Sequence, residues 1–186
     1  MSAVYALFYY VVVPALSIGA AVFWLKRAKG PQAKRIAQVV CAAWFIWLGW
    51  HLFGVEKILL DWKVDRLCAQ DGGVKVYETV ELPAEMFDKW GMVNFYRPTQ
   101  GENALGVEYV FKEETMYYRQ GNPEMWKAKY QVIRNQDGKL LGETILYGRA
   151  GGDLPGPWQP SGYRCPSVVI AGPNAMLKAI FVLKEE

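Results

Sequence analysis

Two long uncharged stretches, separated by a short basic one, constrain the first third of this chain more than any other feature. Ala3–Leu25 holds 23 residues without a formal charge, and Ile36–Val55 holds 20. An α-helix rises about 1.5 Å per residue and a bilayer core is about 30 Å thick, so either stretch is long enough to cross a membrane. The sequence therefore predicts a transmembrane helical hairpin over residues 1–60, with spans at about residues 3–25 and 36–57.

The charges between the two stretches predict the orientation. Residues 26–35 contain no acid and five cations, which are Lys26, Arg27, Lys29, Lys34 and Arg35. Short loops rich in lysine and arginine are retained in the cytoplasm, so the N-terminus and everything after the second span are expected outside. The alternative, a cleaved signal peptide, would carry its cations ahead of the apolar stretch, where Met1–Val4 has none. We expect a multi-pass protein of the bacterial inner membrane, in contact with the lipid bilayer, whose N-terminus and C-terminal domain are periplasmic.

The positive net charge of the chain belongs to this basic loop. The whole chain has a formal net charge of +3. Residues 61–186, in contrast, contain 15 basic and 17 acidic side chains, which leaves a formal net charge of −2. A domain that binds nucleic acid normally presents a basic surface. We therefore expect no nucleic-acid partner.

The cysteines predict one disulfide. Cys41 falls inside the second predicted span, whereas Cys68 and Cys165 fall in the part expected outside the membrane. Because thiols are oxidised in the periplasm, a Cys68–Cys165 disulfide is expected. The single histidine, His51, lies near the end of the second span, and the sequence has no Cys-x-x-Cys pair. Zinc sites need three or four convergent ligands, so neither a metal nor a cofactor is expected.

The fold class predicted for the whole chain is membrane-anchored α+β. Residues 61–186 are expected to form one periplasmic domain, mostly antiparallel β with one or two short helices. Trp126–Arg134 and Leu140–Arg149 flank an Asp137-Gly138 pair, and Asp-Gly between alternating stretches predicts a β-hairpin. Further strands are predicted over 74–81, 92–97, 105–112 and 114–119, and a short helix over 82–91. For residues 167–183 a helix and a strand compete, and the pattern does not choose between them.

Catalytic patterns are missing from the sequence, and we expect no enzyme. The only histidine lies at the predicted membrane, so a Ser-His-Asp triad cannot be assembled in the domain, and no glycine-rich phosphate-binding motif occurs. Aromatic and charged side chains in and near a Pro/Gly-rich loop are the candidate binding residues, because such side chains stack on sugars or anchor protein partners. They are Trp158, Tyr163, Arg164 and, on the hairpin, Trp126. The alternative for Trp158 is that it packs on the core beside Cys165.

Two functions from different classes are compatible with these residues. The first is an accessory, assembly or exclusion factor that acts through contacts with another envelope protein. The alternative is a membrane-tethered domain that binds a small ligand or glycan, with weak hydrolase activity if two carboxyl groups face each other within about 10 Å beside Trp126 or Trp158. The acids available for such a pair are Asp71, Glu78, Glu81, Glu108, Glu113 and Glu114. Small residues in the first span, among them Ser17 and Ala21, are expected to pack against the second span. The alternative is that they support a homo-oligomer.

Overall fold

The computed structural model describes residues 3–52, 54–153 and 159–184. An apolar helical segment at the N-terminus is followed by a mostly antiparallel β-sheet domain with a few short helices. The chain divides into two compact units, Met1–Leu59 with Gly152–Ser161, and Leu60–Gly151 with Gly162–Glu186.

The first unit is helical. It contains α1 (Ala3–Leu7), a π-helical turn (Phe8–Val12), α2 (Val13–Arg27), α3 (Pro31–Leu52) and the start of α4 (Val55–Asp71). Phe8–Arg27 is long and apolar enough to cross a membrane, and none of its apolar window is buried inside the protein. Helix α3 passes the same test only when α4 is counted with it across the break between them. The described residues thus contain one clear candidate span, and the second span stays a prediction.

The helices are interrupted at two places, within the basic stretch and within the second apolar stretch. Lys26 and Arg27 belong to the last turn of α2, and α3 already begins at Pro31, so only residues 28–30 are non-helical. Gly30 has a φ of +88°, which glycine adopts without strain, and proline suits the first position of a helix. Within the second predicted span, at about residues 36–57, α3 ends at Leu52 and Gly54 has a left-handed φ of +60°.

The second unit is built around one antiparallel sheet. Its strands are β1 (Gly73–Val76), β3 (Tyr109–Arg119), β4 (Glu124–Arg134), β5 (Leu140–Ala150) and β6 (Gly162–Cys165). The order is β1-β5-β4-β3, and β6 pairs with the far end of β5. A separate parallel pair joins β2 (Val80–Leu82) to β7 (Phe181–Leu183).

The predicted hairpin is confirmed. Strands β4 and β5 pair antiparallel around the turn that contains Asp137 and Gly138, with Trp126 opposite Gly148 and Val132 opposite Gly142. Gly138 has a φ of +68°, the positive value that explains why glycine stands there. The Asp137 carboxylate accepts a hydrogen bond from the Lys139 backbone N–H at 3.1 Å, which stabilises the turn.

Three local predictions before the hairpin are wrong. The strand predicted over 74–81 is two strands, β1 and β2, because the Tyr77 and Glu78 backbone N–H groups both turn to the carbonyl of Leu141. The helix predicted over 82–91 is reduced to one 3₁₀ turn, Ala84–Met86. Residues 92–97 form no strand and contribute a single bridge, Phe87 to Val93.

The Asp88 side chain explains why residues 82–91 do not form the predicted helix. The Asp88 carboxylate accepts hydrogen bonds from the backbone N–H groups of Trp90 and Met92, each at 2.8 Å. These bonds close a turn where a helix would need the same N–H groups for its own ladder. Further along, the two strands predicted over 105–112 and 114–119 are replaced by the single strand β3, which begins only at Tyr109.

The ambiguous C-terminal stretch contains both kinds of structure. Helices α5 (Val168–Ala171) and α6 (Pro173–Ile180) are followed directly by β7. The short strand β6 was not among the predicted elements.

Helices cover both faces of the sheet and create two hydrophobic clusters. On one face, Met176, Leu177 and Ile180 of α6 pack with Val132 and Leu141 of the sheet. On the other face, Val64 of α4 packs with Met125, Ile145 and Tyr147 of β4 and β5, in the cluster that Cys68 and Cys165 border. The prediction for these two cysteines is confirmed, since their sulfur atoms lie at disulfide-bonding distance and their Cα atoms are 5.8 Å apart.

Candidate functional site

An open groove on the α6 face of the sheet brings together the best candidate binding residues. Strands β3, β4 and β5 form its floor, and β6 and the starts of α5 and α6 form its far wall. Its volume is about 360 Å³. We call it the Trp126 groove, and its lining residues are Thr115, Tyr117, Trp126, Ala128, Tyr130, Leu146, Arg164, Val168 and Pro173.

The strand register explains why these residues meet. Side chains alternate between the two faces of a strand, and directly paired residues share a face. Tyr117 is opposite Trp126, Trp126 is opposite Gly148, and Gly148 is opposite Arg164, so one row crosses four strands. The next row places Ala128 on the floor of the groove, between Thr115 and Leu146.

Gly148 allows the Trp126 ring to lie on the sheet. A Cβ atom added at Gly148 would lie 2.6 Å from Cε2 of the indole, a distance that no side chain tolerates. The ring therefore occupies the space that a larger residue at position 148 would fill. This contact holds the flat indole against the backbone of β5 and leaves the groove open above Ala128 and Leu146.

Arg164 contributes the positive charge of the groove. Its guanidinium carbon lies 5.6 Å from the centroid of the Trp126 ring, within the range of a cation–π interaction. Within residues 3–52, 54–153 and 159–184, no carboxylate forms an ion pair with Arg164. The guanidinium N–H groups of this exposed residue are thus available to an anionic group that enters the groove.

Tyr130 and Glu113 define the opposite side of the groove. Burial raises the pKa of the Tyr130 hydroxyl, the Glu113 carboxylate raises it further, and Arg164 opposes both effects. The negative charge of Glu113 therefore raises this pKa, and the positive charge of Arg164 lowers it. The groove combines aromatic rings, a small apolar floor and one cation, with an acid at its border.

Of the four predicted binding residues, the groove contains two. Trp126 and Arg164 line it together. Tyr163 belongs to the other face, where its hydroxyl donates a hydrogen bond of 2.6 Å to Asp65 of α4. Trp158 lies outside the described residues, and so does its alternative position beside Cys165.

Sequence reasoning did not identify the other groove residues. Strand alternation pointed to Tyr117 and Tyr130. Tyr117 lies two positions after Thr115 on β3, and Tyr130 lies four positions after Trp126 on β4. Alternation therefore indicated a shared face within each strand. Which strands lie side by side became apparent only with the register.

Several acidic residues form ion pairs with cations outside the lining of the Trp126 groove. Asp71 accepts hydrogen bonds from Lys127 Nζ and from the Tyr147 hydroxyl, both at 2.7 Å. Burial opposes ionisation of Asp71, but these two bonds outweigh it and lower the pKa of its carboxyl. Burial and the bond to Asp71 raise the pKa of Tyr147 to about 12. Glu78 forms ion pairs with Arg134 and Lys139.

Glu143 is the most buried carboxylate of this network. It accepts hydrogen bonds from the Tyr77 hydroxyl at 2.9 Å and from Gln131 at 3.2 Å, and it pairs with Lys129 at 2.9 Å. Burial again opposes ionisation, while Lys129 and Tyr77 lower the pKa of the Glu143 carboxyl. These contacts connect Tyr77, which directly follows β1, with β4 and β5. Their partners are side chains of the domain itself, which indicates a stabilising role.

Metal binding has no candidate centre in the described ranges. Across residues 3–52, 54–153 and 159–184, no three His, Cys, Asp or Glu side chains are grouped so that they could hold a metal ion.

Comparison of the chain with family models, with curated proteins and with solved structures finds no match.

Proposed function

We propose that this protein is a non-enzymatic, membrane-tethered accessory factor that docks an extended segment of another envelope protein onto β3. Docking of this kind serves the assembly of a partner or the exclusion of a competitor. The observation that carries the proposal is the free edge of the sheet: β3 pairs with β4 on one side, and no described strand pairs with its other side.

The outer edge of β3 is long and poorly protected. Lys112–Tyr118 are all exposed, and Met116, Tyr117 and Tyr118 are exposed by 47%, 50% and 40%. Proteins usually protect such edges with proline, bulges or short strands, because free backbone N–H and C=O groups recruit other strands. This strand spans 11 residues without proline, and its irregular register is confined to the end beyond Tyr117. An incoming strand would therefore find continuous backbone partners.

The side chains of β3 indicate the chemistry of the partner segment. Glu113 and Glu114 outweigh the charge of Lys112, so the first half of the edge is acidic. Met116 and Tyr117 make the second half apolar and aromatic. Because directly paired side chains on neighbouring strands contact each other, a partner with a cation opposite Glu113 and Glu114 and apolar residues opposite Met116 and Tyr117 matches this edge best.

The proposed tether is the two-span hairpin with both ends outside the cytoplasm. Three observations support it: Phe8–Arg27 can span a membrane, α3 exposes Ile46 at 72% and Val39 at 69%, and the five cations lie near the turn at residues 28–30. The connected Cys68–Cys165 pair suits an oxidising compartment. On this basis we place the sheet domain in the periplasm of a bacterium.

Thiol labelling in intact cells tests this location. In a Cys41→Ala background, a maleimide that does not cross the inner membrane is expected to label Cys68 and Cys165 only after a reductant is added, because the disulfide blocks both thiols. A Lys29→Cys variant with all three natural cysteines replaced is the control, and it should stay unlabelled in intact cells. Labelling of Lys29→Cys in intact cells, with Cys68 and Cys165 unlabelled even after the reductant is added, would reverse the orientation and refute the tether.

Photo-crosslinking followed by hydrogen exchange tests the docking edge. A photoreactive phenylalanine at Met116 should crosslink one envelope protein in living cells, whereas the same residue at Trp90, which is 70% exposed and lies outside β3, should not. The crosslinked segment is then synthesised and added to the full-length protein in detergent. We expect slower amide exchange within residues 112–118, because new strand pairing protects backbone N–H groups. Unchanged exchange at saturating peptide, or equal capture from both positions, would refute docking at β3.

A second candidate function, the binding of a small ligand or glycan, is favoured by the Trp126 groove. The volume of about 360 Å³ suits a ligand of one or two sugar rings, and Trp126 stands in its wall. The lining formed by described residues presents Arg164 and no carboxylate. Binding without hydrolysis is therefore the form of this candidate that we retain.

A further inference from the structure

We infer that the Trp126 groove recognises a glycan whose sugar ring carries a carboxylate. The inference rests on the second candidate function, ligand binding at this groove, and it does not depend on docking at β3. Each part of the groove matches a different part of such a molecule.

The carboxylate is matched by Arg164. A guanidinium presents a planar fork of donors that binds a carboxylate through two parallel hydrogen bonds. In the described part of the chain this guanidinium has no anionic partner, and its contact with Trp126 orients it at the wall of the groove. Arginine and tryptophan in this arrangement combine charge recognition with a rigid apolar surface.

The sugar ring is matched by the aromatic side chains. Tyr117 is 50% exposed and stands directly opposite Trp126 in the neighbouring strand, so its ring forms the accessible aromatic surface of the groove. The apolar C–H face of a sugar packs against such a ring. The Thr115 hydroxyl and the Tyr130 hydroxyl lie in the same lining and can exchange hydrogen bonds with sugar hydroxyl groups.

The floor of the groove is matched by a small apolar substituent. Ala128 and Leu146 face the space between the Tyr117 side and the wall formed by Val168 and Pro173. An N-acetyl methyl group fits an apolar surface of this size. The acid at the border, Glu113, disfavours a second negative charge near Tyr130, so one carboxylate per ring is the expected pattern.

Ligand-observed NMR on the full-length protein in detergent tests the inference with three probes. N-acetylmuramic acid has the sugar ring and the carboxylate, its methyl ester has the ring without the charge, and N-acetylalanine has the charge without the ring. We expect the acid sugar to bind at least tenfold more tightly than either control. The Arg164→Gln variant should remove that preference for the acid, while Arg66→Gln, on an exposed residue of α4, should leave it unchanged.

The possible failures separate the inference from the function on which it rests. If the methyl ester binds as tightly as the acid, the groove binds a ligand but the carboxylate inference is overturned. If N-acetylalanine binds as tightly, the glycan part is overturned in favour of a free carboxylate or a peptide terminus. If none of the three binds, ligand binding and the inference fail together. Gly148→Ala, which displaces the Trp126 ring, should weaken binding of the acid and the ester alike; unchanged binding would place the site elsewhere.

Discussion

Replacing Cys68 and Cys165 together with alanine is expected to lower the free energy of unfolding of the sheet unit by about 4 to 5 kcal/mol. The two cysteines are 97 positions apart in the sequence. In the chain-entropy account, a crosslink that closes a loop of this length removes conformational freedom mainly from the unfolded chain, and the corresponding stabilisation is about 4.7 kcal/mol at 25 °C. This is a large share of the 5 to 15 kcal/mol that typically separates a folded domain from its unfolded state.

The bond joins a helix to a short strand, which is why we expect the fold to depend on it. Cys68 belongs to α4 and Cys165 to β6, a strand of four residues that pairs only with the far end of β5. The bond borders the cluster in which Val64, Met125 and Tyr147 are buried. Without it, β6 would be held by its short pairing with β5, and α4 by this packing and by its polar contacts with the sheet.

Urea denaturation of the full-length protein in detergent, followed by tryptophan fluorescence, measures this effect. The Cys68→Ala/Cys165→Ala variant should have a lower midpoint than the oxidised protein, and the reduced natural protein should approach it. Cys41→Ala serves as the control and should keep the natural midpoint under oxidising conditions. A loss below about 1 kcal/mol in the double variant would show that the bond does not hold the unit together.

The hairpin shows which parts of this fold were readable from the sequence. The alternation in β4 and β5 and the Asp137-Gly138 turn are local features, and local features were sufficient because the two strands are neighbours in the chain. The apolar helical segments were readable for the same reason. Their ends were not, since α2 ends and α3 begins inside the basic stretch 26–35, and α3 ends at Leu52, before the apolar stretch does.

The region from 82 to 97 shows what long-range packing decides. Its apolar residues contact partners far away in the chain: Phe95 meets Phe181 at 5.7 Å between ring centroids and Tyr109 at 6.4 Å. The parallel pair β2–β7 joins Val80 to Phe181. A strand or helix pattern over ten residues carries no information about such contacts. Here they favoured a 3₁₀ turn and a loop over the regular elements that the local pattern suggested.

The groove was readable only in part, for a related reason. Trp126 and Arg164 were candidate residues by chemistry, but their proximity depends on the order of β4, β5 and β6 in the sheet. The glycine that accommodates the indole, Gly148, looks unremarkable inside a strand until its partner in the register is known. Chemical type thus indicated candidate residues, and topology decided which of them form a site.

The Arg149→Met variant is expected to lose about 3 to 5 kcal/mol of unfolding free energy, the usual cost of breaking a buried ion pair from one side. The Arg149 side chain is 2% exposed and donates from Nε to Asp61 of α4 at 2.8 Å. It also donates from Nη1 to the carbonyl of Gly151 at 2.7 Å. Without the guanidinium, the Asp61 carboxylate, whose side chain is 24% exposed, loses this cation. The carbonyl of Gly151, at the start of the loop after β5, loses its donor from Nη1.

The double variant Asp61→Leu/Arg149→Met separates the ion pair from simple packing. Once both charges are gone, no partly buried carboxylate is left without its cation, so part of the lost stability should return. The four proteins form a double-mutant cycle, measured by urea denaturation in the same detergent. We expect the double variant to be more stable than Arg149→Met alone. The losses of unfolding free energy in the two single variants could instead simply add. The contact between α4 and β5 would then depend on packing alone, and the charged pair would not determine how the helix is held on the sheet.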